Sequence, residues 1–151
     1  MPVIIHEQFI QAPIEVCFDL ARNVKVHTQT THQTNEKAVG GVTEGMLEEG
    51  DIVTWEAVHF GIKQRLTSQV TFMEKPNKFI DEMVHGAFHS FKHIHQFVEK
   101  ADGTLMIDTF QYKSPLGILG VIADKLFLEK YMTAFIILRA KELKKMAERV
   151  T

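Results

Sequence analysis

Residues 114–149 constrain the fold most: the segment is rich in apolar residues and holds no proline after Pro115. Nothing beyond its first turn therefore has to break a helix. At 100° per residue, Val121, Leu128, Met132, Phe135, Ile136, Leu143, Met146, Ala147 and Val150 fall on one face. Lys130, Lys141, Lys144, Lys145 and Glu148 fall on the other. The first half breaks the pattern, because Leu126, Phe127, Ala134, Ile137 and Leu138 add apolar groups on the far side. The expectation is one helix over Ser114–Arg149, laid across a sheet, whose first half needs cover on more than one side or a partner.

The chain before that segment is strand-like. Val3–Gln11 reads as a first strand, and Pro13 opens a short helix on which Ile14, Cys17, Phe18 and Ala21 recur at helical spacing. Asn23 suits the cap of a second short helix over Val24–Thr31. From Glu36 to Tyr112 apolar residues alternate with period two between turn signals, the pattern of an antiparallel meander. A turn about Gly61-Ile62 would set Trp55 opposite Ser68, Ala57 opposite Leu66 and Val53 opposite Val70. A turn at Ala101-Asp102-Gly103 sets Phe91 opposite Tyr112, His93 opposite Phe110, His95 opposite Asp108 and Phe97 opposite Met106. One face of that last hairpin then carries aromatics, a methionine, two histidines and a carboxylate.

Composition excludes several function classes. A chain of 151 residues fits a single domain, 1–151, with a full core. A net charge of −2 without a basic stripe outside the C-terminal helix argues against nucleic acid as a partner. The single cysteine, Cys17, precludes an internal disulfide or a cysteine-rich metal site, and its place on an apolar helix face gives it a packing role. No signal peptide or membrane-spanning run is evident, so a cytoplasmic protein without stable membrane insertion is expected.

The element order, with particular residues along it, resembles the START-like superfamily, also called SRPBCC, or polyketide cyclase/dehydrase and lipid transport. The resemblance covers nearly the whole chain. It is carried by Ala12-Pro13 before Phe18, Gly50-Asp51-x-Val53-x-Trp55, Thr67–Lys75 running into Pro76, and Asp81-Glu82 with Gly86-x-Phe88. Phe91-x-His93-x-His95-x-Phe97 and Ser114-Pro115-Leu116-Gly117 complete it. In a bacterial subgroup that it resembles, the first aromatic of the His-x-His strand is often Trp, and here it is Phe91. The resemblance implies an α+β helix-grip fold. A curved antiparallel sheet of about six to seven strands wraps around a long C-terminal helix, with two short helices after the first strand. It also implies an internal cavity for a small apolar ligand, a lipid, polyketide, quinone or similar molecule.

By the register above, that cavity would draw on Trp55, Phe91, His93, His95, Phe97, Asp108, Phe110 and Tyr112 from the sheet. The helix would add Val121, Leu128, Met132 and Phe135. His95 facing Asp108 is the sharpest polar feature. A carboxylate that fixes an imidazole tautomer could orient a ligand or, in a cyclase- or dehydratase-type enzyme, serve a general base, so His95 and Asp108 are the catalytic candidates. His85, His89, His93 and His95 fall within eleven residues, but only His93 and His95 are close on one face. A third converging ligand is not evident, so neither a metal nor another cofactor is expected. Arg139 lies on the apolar stripe, where it would meet a carboxylate, a ligand anion or solvent. Asp81 and Glu82 take opposite faces, and the sequence leaves open which points inward. The over-apolar helix start could instead dock a protein partner or a second copy, giving a homodimer.

Overall fold

The computed structural model describes residues 2–114, 117, 122 and 127–150. The chain runs β1 (Val3–Ile10), α1 (Ile14–Ala21), α2 (Val24–Gln29), β2 (Lys37–Gly41), β3 (Ile52–His59) and β4 (Ile62–Glu74). It continues through β5 (Lys78–His85), β6 (Ser90–Lys100), β7 (Gly103–Lys113) and α3 (Glu129–Arg149). The strands form one antiparallel seven-stranded sheet in the order β1-β7-β6-β5-β4-β3-β2. β1 joins β7, so both ends of the strand sequence meet while β2 and β1 form the edges. This is the α+β helix-grip architecture, with two short helices after the first strand.

The β6–β7 register agrees with the turn-based expectation at each pair, including His95 with Asp108. His93, His95, Phe97, Met106, Asp108, Phe110 and Tyr112 are all buried, which makes this the interior face. The β3–β4 register differs. Trp55 faces Leu66, Val53 faces Ser68 and Ala57 faces Gln64. The turn is Phe60-Gly61, both left-handed at φ 53° and 74°, so the strands resume one residue earlier than a Gly61-Ile62 turn allows. The shift is two residues along one strand, so each side chain keeps its face.

α1 closes one end of the space beneath the sheet. Phe18 meets Phe79 and Phe97 edge-on, each at 5.5 Å between centroids. Ile10, Cys17, Met106, Ala140, Leu143 and Ala147 pack around them. Cys17 is fully enclosed, and burial pushes its thiol pKa up, as suits packing rather than reactivity. α3 buries Ile136, Ala140, Leu143 and Ala147. Val150, assigned by periodicity to the same stripe, is 66% exposed because it lies past the last turn. Near its end, Lys144 donates to the Phe9 carbonyl (2.8 Å) and Glu148 accepts from the Gln11 amide (2.8 Å), tying α3 to β1. Of the anticipated helix start, Val121 and Leu126 lie outside the described residues. Gly117 has φ 54°, which a continuous right-handed helix from Ser114 would not contain. Phe127 and Leu138 are exposed. No described helix is long and apolar enough to cross a membrane.

Candidate functional site

Where α1 stops filling the gap between sheet and α3, a cavity of about 330 Å³ opens. Its walls are largely apolar: Trp55, Leu66, Phe88, Phe91 and Phe110 from the sheet side, Leu128, Met132 and Phe135 from the helix side. That volume lies at the small end of ligand sites, which typically pair an apolar lining with a few oriented polar groups. The polar groups here form two sets.

The first set spans β5, β6 and β7. His93 and His95 alternate on β6 and so share the inner face, their rings stacked at 3.8 Å. His93 Nε2–H donates to Asp108 Oδ1 at 2.9 Å, and His95 Nε2–H donates to Asp81 Oδ2 at 2.8 Å. His95 Nδ1 also lies 3.5 Å from Asp108 Oδ1. In register, Asp81 faces His93 and Asp108 faces His95, yet each carboxylate takes its short bond from the diagonal histidine. Diagonal neighbours come within reach of long side chains on adjacent strands.

The four groups settle one another's charge. Burial would push His95 down, but its contacts with Asp108 and Asp81 outweigh this and hold it above its ordinary value. His93 is pushed down to about 4 by burial and by the neighbouring His95 charge. Burial would raise both carboxyls. Bonds from His93 and His95 instead hold Asp108 far below the usual carboxylate range, and the bond from His95 holds Asp81 below it. Set between two carboxylates, His95 holds a proton more readily than a free imidazole, whereas His93 is neutral at neutral pH. With Nε2 committed to Asp108, His93 Nδ1 has no partner among the described residues, and His93 lines the cavity.

The second set lies across the cavity. Asn23 caps α2 by accepting from the amides of Lys25 and Val26, which holds the helix that carries His27. His27 packs on Trp55 at 4.1 Å between centroids, the rings tilted by 31°, and its Nε2–H donates to Glu36. Burial and the Arg139 charge push His27 down. Burial would push Glu36 up, but His27 and Arg139 hold it below its ordinary value. Arg139 reaches in from α3, and its hydrogen bond among the described residues is a long one, 3.5 Å to the Ala21 carbonyl. At the rim, His59 Nδ1 and Tyr131 Oη are 2.6 Å apart, and Phe60 packs on Tyr131 at 4.5 Å.

His93, His95 and Asp108 also bring three potential metal-ligand atoms within 4.8 Å of one another. Asp108 thus supplies the third converging group that the spacing of histidines did not reveal. The rings, however, stack only 24° from parallel, so their in-plane nitrogen lone pairs run side by side rather than to one point. The arrangement suits a hydrogen-bonded network better than a metal centre.

Of the side chains anticipated from the sequence, Trp55, Phe91, His93, His95, Asp108 and Phe110 line the cavity, with Leu128, Met132 and Phe135 opposite. Phe97 and Tyr112 do not. Phe97 is packed under Phe18 and Phe79, and Tyr112 is fully buried with Ile4, Phe110 and Ile136. Both are on the inner face but beyond the ends of the open space. Asp81 is the member of its pair that turns inward. His27, Glu36, His59 and Tyr131 were not anticipated. The Asn23 cap signals α2, but no periodicity reveals that so short a helix points His27 into the cavity.

The fold and this polar-ended cavity between sheet and helix define the chain as a helix-grip protein. Among solved structures, it is similar to TTHA0849 from Thermus thermophilus, at 21% identity, 99% coverage of each chain and a TM-score of 0.81. Ginseng major latex-like protein 151 from Panax ginseng matches at 12% identity, 97% of each chain and a TM-score of 0.72. KanY protein (ms6282) matches at 13% identity, 97% of each chain and a TM-score of 0.75. No protein-family model and no curated protein matches the sequence.

Proposed function

We propose that the protein binds a small, mostly apolar molecule, of lipid, polyketide or quinone type, between the sheet and α3, with its polar end toward Arg139 and His93. The observation that carries this reading is the 330 Å³ cavity, whose aromatic and aliphatic walls end in two polar sets, with Arg139 and His93 Nδ1 left to meet a ligand. Native mass spectrometry of freshly purified protein, with solvent extraction of any passenger, tests it. A stoichiometric apolar passenger, or saturable uptake of N-phenyl-1-naphthylamine by the empty protein, is expected. Failure of both would sink the reading.

His93 favours a second reading, as an enzyme. Asp108 holds its Nε2 proton and leaves Nδ1 as an acceptor beside the cavity, the arrangement of an oriented general base. We assign that role to His93 rather than His95, because both His95 nitrogens lie against carboxylates, which raise its pKa and leave no nitrogen facing a ligand. A base here would take a proton from a carbon next to a ligand carbonyl. His93→Gln should abolish proton exchange into a bound ketone while leaving dye uptake intact; unchanged exchange would exclude the role.

A further inference from the structure

Arg139 is a cation in an unusual position. Arg139 lines the cavity, and no carboxylate lies within ion-pair distance of it among the described residues, Glu36 and Asp81 being paired with His27 and His95. Its one hydrogen bond there is the 3.5 Å contact to Ala21. A guanidinium has five N–H donors, and leaving most of them unmatched in a partly buried site is costly. Its charge nevertheless acts on Glu36 and Asp81, which belong to the two polar sets on either side. The gap calls for an acceptor from the ligand.

The charge around the gap selects the kind of acceptor. Glu36, Asp81 and Asp108 are held ionised against Arg139 and no more than one positive charge on His95, while Arg65 on the wall is paired with Glu56, so these interior groups carry an excess negative charge. A carboxylate on Arg139 would enter the field of Glu36 and Asp81 where water screens little. A neutral carbonyl takes the same N–H bonds without that repulsion. Resting on the container reading above, we propose that Arg139 is a specificity-determining residue that holds a neutral carbonyl oxygen at the polar end of the ligand, and that Glu36 and Asp81 exclude carboxylates from the same place.

Displacement of bound N-phenyl-1-naphthylamine at about pH 7.5 tests this with three competitors of one ring system: 2-acetonaphthone, 2-ethylnaphthalene and 2-naphthoate. The ketone should displace the dye at roughly tenfold lower concentration than either of the others. Arg139→Met should remove the advantage of the ketone over 2-ethylnaphthalene, Arg139→Lys should restore part of it, and Glu36→Gln should improve naphthoate binding. Naphthoate matching the ketone, or a ketone no better than the hydrocarbon in the unmodified protein, would overturn the proposal while dye uptake upheld the container. A protein that takes up no dye would overturn both. The unmodified-protein comparison decides the matter even where a variant fails to fold.

Discussion

Asp108 accepts a hydrogen bond from His93 and lies against His95, so its loss should be felt at two imidazoles at once. Asp108→Asn leaves His95 with the Asp81 carboxylate alone, and breaking a buried pair from one side costs about 3 kcal/mol. Urea unfolding should show that loss, and a change below about 1 kcal/mol would mean that the network is not stabilising. The same cluster predicts a pH dependence. His93 is held at about 4 in the folded chain against 6.5 unfolded, so the unfolded chain gains a proton in that window that the folded chain refuses. Stability therefore falls as pH drops from about 6.5 toward 4, and the depressed carboxyls Asp81, Asp108 and Glu36 add to the loss at lower pH. His95, raised by its partners, acts in the other sense: its contribution is full below its unfolded value and fades as pH rises through the folded one. Thermal midpoints should decline on the acid side, and His93→Gln should flatten the decline; an unchanged profile in that variant would refute the assignment. The facing of His95 and Asp108 was legible because the Ala101-Asp102 turn sets the register. The short bonds to the diagonal partners were not, since sheet geometry rather than residue order decides them.

Among the elements, α2 has the most leverage for its size. Asn23 satisfies two amides at its start, and the helix carries His27 onto Trp55 and Glu36. Asn23→Ala should cost about 1 kcal/mol and weaken dye uptake as His27 loses its support, measured by chemical unfolding alongside dye titration. Loss of stability with undiminished uptake would separate the cap from the cavity. The β3–β4 hairpin shows where element boundaries escape the sequence: Phe60 adopts a left-handed backbone uncommon for an aromatic, so the turn that Gly61 signals begins one residue earlier. Its compensation is the packing of Phe60 on Tyr131, which no pattern within β3 or β4 discloses. On α3, the interior stripe was legible at Ile136 and Leu143, whereas Arg139 within it could be read either as reaching solvent or as facing a ligand.

For the molecule as a whole, the order of strand, two short helices, antiparallel meander and C-terminal helix was legible and sufficed for the fold. The extent of the cavity was not, because it depends on how far α1 fills the space between sheet and helix. Phe97 and Tyr112 show this: correct in face, they are packed beyond its ends. Filling the space should separate folding from binding. Ala57 is buried on the cavity wall, so Ala57→Leu should leave the melting temperature equal or higher while lowering dye affinity about tenfold. A variant that binds dye as before would place the ligand elsewhere.

The sheet is open, and an open sheet is a template on which another chain can lengthen the ladder. Both of its margins are blunted. At β2 the register slips between Ala38 and Gly40, and Gly41 runs so close to β3 that a Cβ there would lie 2.0 Å from the Ile52 carbonyl oxygen. At β1 the backbone groups of Phe9 and Gln11 are occupied by Lys144 and Glu148 of the long helix. The helix that roofs the cavity thereby also guards the protein against self-association through its strands, so fraying of its last turns would expose an aggregation-prone edge before it opened the cavity.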